Sequence, residues 1–234
     1  MSNHFLETNL VIGYTVDWDR QSSVVEQYVD SLSSETTVRT SSRVLNEAED
    51  VINDRRRLAK QAARAIFQDF ESGSRRPPVD QLVGFVRSTL SDKRDSAVDH
   101  VIQHIEANEF YYTGLTRIES RTGLSSTFSD IDDDFNDAVD VVDSIRRESF
   151  PELHCLVFTD ILSDYSSYTS FSNIDNELSD SPNDRDILFD AYHLTQEEEL
   201  DILLFLTMDS DILSSESDFE SILETIDIEH PEDV

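Results

Sequence analysis

The chain has 234 residues, 38% of them hydrophobic, with 50 acids against 18 bases and a net charge of −32. That apolar content supplies a core, which excludes a disordered chain. A single cysteine, Cys155, excludes an internal disulfide, and no apolar run nears the roughly 20 residues needed to span a bilayer. No basic flank leads into a long apolar stretch at the N-terminus, so no secretory signal is expected and a cytoplasmic, reducing compartment fits. The length suits one large domain or two small ones, and one α/β domain over residues 1–234 is the expectation.

Taken in order, residues 5–14 form the first strand and turn, with Glu7 just past the apolar pair Phe5-Leu6. Asp17 to Leu32 has the spacing of a helix (Val24, Val25, Tyr28, Val29, Leu32). Thr36 to Ser41 is a short strand, with Ser41 or Ser42 as N-cap of the next helix. Val44, Leu45, Ala48, Val51 and Ile52 make the apolar stripe of that helix, and Glu47 and Glu49 sit on its edges. A further helix runs from about Arg55 to Phe70. It buries Leu58, Ala62, Ala65 and Ile66 and carries Arg56, Arg57, Lys60 and Arg64 on another face.

Ser72-Gly73-Ser74 and Pro77-Pro78 mark a break. Val79 to Asn108 reads as two helices around Ser91-Asp92, Phe110 to Ser129 as irregular, and Ile131 to Ser149 as a helix. The last is acidic at its start and basic at its end (Arg146, Arg147), as the helix dipole favours. Leu153 to Thr159 is a strand candidate, and Asp160 to Asp184 a Ser/Asp/Asn-rich loop. Asp186 heads an amphipathic segment. Leu200–Leu206 is taken as a buried strand, although Thr195-Gln196-Glu197-Glu198 also suits a helix over Gln196–Leu206. A helix at Phe219–Ile226 and a strand near Ile228 close the chain.

Four acids stand at the ends of apolar segments or the heads of helices: Glu7, Glu47, Asp186 and Asp209. In open α/β sheets, sites lie at the carboxyl ends of parallel strands. Converging carboxylates there can hold Mg²⁺ or Mn²⁺, which prefer oxygen ligands. Such ions activate water against a phosphodiester. Periodicity alone leaves rivals: Asp17 or Asp19 for Glu7, Glu49 for Glu47, Asp190 for Asp186 and Asp211 for Asp209. His100 and His104 are spaced i, i+4 but read as exposed helix histidines. His4, His154, His193 and His230 read as isolated, Cys155 as a buried thiol and Trp18 as an anchor.

The ordered pieces FLETNLVIGY, VRTSSRVLNEAEDVI, DILFDAYHL and FLTMDSDIL together resemble the PIN domains, a family of metal-dependent ribonucleases that includes toxins of toxin–antitoxin pairs. The likeness spans roughly residues 3–63 and 182–234. It implies a three-layer fold with a central, mostly parallel sheet, and a mainly helical insertion at about 75–181. It implies Glu7, Glu47, Asp186, Asp209 and Asp211 as ligands of Mg²⁺ or Mn²⁺, with Asn9 and Thr207 orienting them. The family usually has Asp where Glu7 stands. The implied partners are RNA, a small antitoxin-like protein and a second copy of the chain; the basic face of Arg56, Arg57, Lys60 and Arg64 suits RNA phosphates next to the site and equally suits pairing with the surrounding acids. The alternatives are a PIN-like interaction protein without catalysis and an acidic mimic of nucleic acid. Dispersed acids with Arg in place of Lys resemble proteins of salt-loving archaea, in which net charge says little about partners.

Overall fold

A computed structural model describes residues 2–70, 79–109, 111, 123–147 and 155–234. The expected break at 72–78, most of the irregular stretch from 110 and His154 lie outside the described residues.

Five strands form one all-parallel sheet: β1 (Ser2–Leu6), β2 (Thr36–Ser41), β3 (Cys155–Phe158), β4 (Leu203–Leu206) and β5 (Ile226–Glu229), in the order β3-β2-β1-β4-β5. The fold is α/β, as expected. Among the described residues ten helices accompany the sheet. They are α1 (Thr8–Thr15), α2 (Ser22–Ser31), α3 (Ser42–Phe70), α4 (Val79–Thr89), α5 (Asp95–Ala107), α6 (Gly123–Arg146), α7 (Phe171–Glu177), α8 (Pro182–Glu197), α9 (Ser210–Ser214) and α10 (Glu216–Ile222).

The chain divides into two compact units. The first comprises 1–15, 21–49 and 141–234 and holds all five described strands; the second comprises 16–20 and 50–140, and its described elements are helices. The helical part therefore starts before residue 75 and ends well before 181. The strand β3 falls inside the stretch expected to be an insertion and is an edge of the sheet.

In the first unit, β1 lies at the centre of the sheet, between β2 and β4. Phe5 and Leu6 are both buried, as are Phe205 and Leu206. Successive strand residues point to opposite faces, so both faces are covered, as a parallel sheet requires. The register pairs Leu6 with Leu206, and the Phe5 and Phe205 rings stack 5.6 Å apart. The helix α8 packs on β2 and β4, and α10 on β5. Leucine content and the capping pattern at Thr195 made 196–206 ambiguous. The chain resolves it by ending α8 at Glu197 and turning through Glu199, at φ 52°, before β4.

In the second unit, Trp18 packs against His104 and Phe135, with ring centroids 4.7 and 5.3 Å away. Buried Arg55 donates to Asp19 at 2.8 Å. The helix α3 is continuous where two helices were expected, since neither Gly nor Pro occurs between Ser42 and Phe70. The helix α6 begins at Gly123, earlier than expected.

Candidate active site

The strand order reverses direction between β1 and β4: the chain builds outward through β2 and β3 on one side and through β4 and β5 on the other. A crevice opens at the carboxyl ends of such a pair, where doubly wound sheets bind ligands. The residues just after the two strands, Glu7 and Thr207, meet there. The Glu7 amide donates to the Leu206 carbonyl at 3.3 Å. The Thr207 hydroxyl donates to Glu7 Oε1 at 3.2 Å, and the Asn9 amide to Glu7 Oε2 at 2.9 Å.

Glu7 is only 5% exposed, and burial raises its pKa to about 7 against these hydrogen bonds, with Asp184 adding like-charge repulsion. The Asp209 amide donates to the Thr207 hydroxyl, and the Asp209 carboxylate caps α9 by accepting from the amides of Asp211 and Ile212. Glu47, in the first turns of α3, accepts from the Thr8 hydroxyl at 2.7 Å and from the Asn183 amide at 3.4 Å.

The acid of α8 that joins this group is Asp184, not Asp186. Burial raises the Asp184 pKa to about 6, and the charges of Asp209, Glu47 and Asp211 push it the same way. Asp186 points elsewhere: its carboxylate accepts from Arg185 at 2.7 Å and lies 3.5 Å from Arg43. Asp190 is fully buried against Tyr165 and Arg43. The reason is local. Ser181-Pro182 starts the helix, because proline suits its first position, and so Asp184 stands in the first turn. Residues two apart on a helix do not share a face. The Ser-Pro start was the signal in the sequence that pointed to Asp184.

The other rivals have partners. Glu49 accepts from Arg146 at 3.1 Å, and Asp19 pairs with Arg55. His104 is fully buried rather than exposed. It bonds to the Tyr111 hydroxyl and the Asp134 carboxylate, while His100 bonds to Arg55. His4 and His193 are held by Tyr28 and Tyr168. Cys155 is buried, as expected.

Glu7, Glu47, Asp209 and Asp211 thus all lie within electrostatic reach of Asp184, and two hydroxyls, Thr8 and Thr207, bond to Glu47 and Glu7. The donors are all oxygen, which suits a hard divalent cation. Their like charges work against burial, which a cation would relieve. Among the described residues, however, no three carboxylate, histidine or cysteine side chains converge closely enough to form a coordination shell. No described helix is long and apolar enough to cross a membrane.

Comparison with protein families, curated proteins and solved structures finds no match for this chain.

Proposed function

We propose that the chain is a PIN-like, metal-dependent ribonuclease whose site is the acidic crevice between β1 and β4. The observation that carries the reading is the meeting of Glu7 with Thr207 at the reversal of the strand order, with Asp184, Asp209, Asp211 and Glu47 in electrostatic reach. Glu7, Asp184 and Asp209 would hold Mg²⁺ or Mn²⁺, with Asp211 and Glu47 at the margin. What a divalent ion supplies when bound is a more acidic water and neutralised phosphate charge.

The side chains do the rest. Burial raises the Glu7 pKa to about 7, and a cation beside it would favour its ionised, ligating form. Thr207 and the Asn9 amide fix both of its oxygens. Thr8 and Asn183 fix the two carboxylate oxygens of Glu47. Buried Phe5 and Leu206 beneath keep the floor dry, which strengthens charge interactions above it.

The test is cleavage of labelled RNA with Mn²⁺ or Mg²⁺ at high salt, wild type against Asp209→Asn and Asp184→Asn. Asparagine keeps the cap that Asp209 gives α9. Loss of cleavage in both variants, with their folds intact, is expected; equal activity in all three proteins rejects the assignment. The spread of the carboxylates favours a second reading, a PIN-like protein that binds a partner without catalysis. Melting temperatures unchanged by millimolar Mn²⁺ in the wild type would select it.

A further inference from the structure

The second unit holds 13 of the 18 bases of a chain of −32, against 19 acids. Two adjoining open grooves share Arg57 and Gln61. One is lined by Arg56, Arg57, Lys60 and Arg64 of α3; the other extends to Lys93 and Arg94 at the turn before α5. Both lysines of the chain, Lys60 and Lys93, lie on this track. Residues more than thirty positions apart are thereby joined, which the spacing within α3 does not reveal.

Among the described residues, three carboxylates touch the six cations. Asp132 takes Arg56 and Lys60, Asp54 takes Arg57 at 3.0 Å, and Asp92 takes Lys93 at 2.8 Å. The balance of six against three leaves the track positive. Arg57, Arg64 and Arg94 are exposed. The Arg64 guanidinium lies over the Phe128 ring, 5.3 Å from its centroid, and Lys60 lies 5.9 Å from the same ring. Charges beyond about 8 Å are screened at physiological ionic strength, so the local cations rather than the net charge set the field in the grooves.

We propose that this track binds the sugar–phosphate backbone of single-stranded RNA. Guanidinium groups match phosphate oxygens two at a time. A planar cation seated on an aromatic ring offers a surface on which an unpaired base stacks. An acidic protein segment would share the charge but has no base to stack, so RNA is the better fit. This deepens the ribonuclease reading by giving its substrate a second point of attachment, yet it uses none of the carboxylates.

The test is fluorescence anisotropy with a labelled oligouridine in EDTA, which removes divalent ions and cleavage. Wild type is compared with the surface variants Arg57→Ala/Arg64→Ala and Lys93→Ala/Arg94→Ala. Each pair is expected to weaken binding at least tenfold. Each is also expected to reduce the slope of log K against log salt by about 1.4, from roughly 0.7 per phosphate contact on a single strand. Binding within twofold of wild type in both variants overturns the proposal. So does equal binding of polyglutamate of the same length, or no binding by the wild type at low salt. Tight binding without cleavage by any form would sink the nuclease and leave the track, whereas cleavage indifferent to both surface variants would do the reverse.

Discussion

Replacing Glu7 by Gln isolates the cost of keeping a carboxylate under the crevice. Burial moves this carboxyl from its ordinary 4.5 up to about 7. The folded protein therefore binds that proton more tightly than the unfolded chain. Stability linked to Glu7 is full below pH 4.5, falls as pH rises from 4.5 to about 7, and is lowest above it. At roughly 1.4 kcal/mol per pH unit, the loss is about 3 kcal/mol. Glutamine carries no charge but offers one oxygen where Glu7 offers two, to the Thr207 hydroxyl and the Asn9 amide. One donor goes unpaired, which costs about 1 kcal/mol. Glu7→Gln should thus be about 2 kcal/mol more stable than wild type at pH 8 and about 1 kcal/mol less stable at pH 4.5, from the same terms. In a chain of this size the first figure is about 4–8 °C in melting temperature. Thermal unfolding followed by circular dichroism, at fixed high KCl from pH 4.5 to 8, gives the two curves. Curves that run parallel, or a variant less stable at pH 8, refute the burial argument. Mn²⁺ should raise the melting temperature of the wild type at pH 8 and not that of the variant.

Two further outcomes test the packing. Gly13→Ala would bring a Cβ to 2.9 Å from Cγ2 of Val25, a fully buried side chain where α1 meets α2. Helix propensity returns about 1 kcal/mol and overpacking costs about 1–3 kcal/mol, so the melting temperature should fall slightly; a rise would show that α2 yields. Burial holds the His104 pKa below its ordinary 6.5. Stability linked to it is present above pH 6.5 and is lost as pH falls toward the lower folded value. His104→Gln should be less stable at pH 8 but lose less between pH 6.5 and 5, in urea titrations at each pH.

Much of the sheet was readable from local pattern. Thr36–Ser41 is a strand at the expected residues because its Thr and Val content is β-branched and Ser41 bonds the Val44 amide as the helix begins. Glu7, Thr207 and Asp209 were readable because each stands just past an apolar run. Asp186 was misleading because apolar periodicity locates a helix face but not its first residue, and two positions along a helix turn a side chain to the other side. The helix at 171–177 went unread inside a Ser- and Asp-rich stretch. Its only fully buried apolar side chain is Ile174, too little for a periodic signal. The joining of Lys93 and Arg94 to the cations of α3 is a tertiary fact, and no local rule contains it.

The hydrogen bond from Thr207 to Glu7 closes a loop of 200 residues. During synthesis, a ribosome that has just passed Asp184 has made Glu7, Glu47 and Asp184 but neither Thr207 nor Asp209. Contacts so distant along the chain form late and slowly. Any activity housed there is withheld from nascent and prematurely ended products, a safeguard that comes from topology and needs no inhibitor.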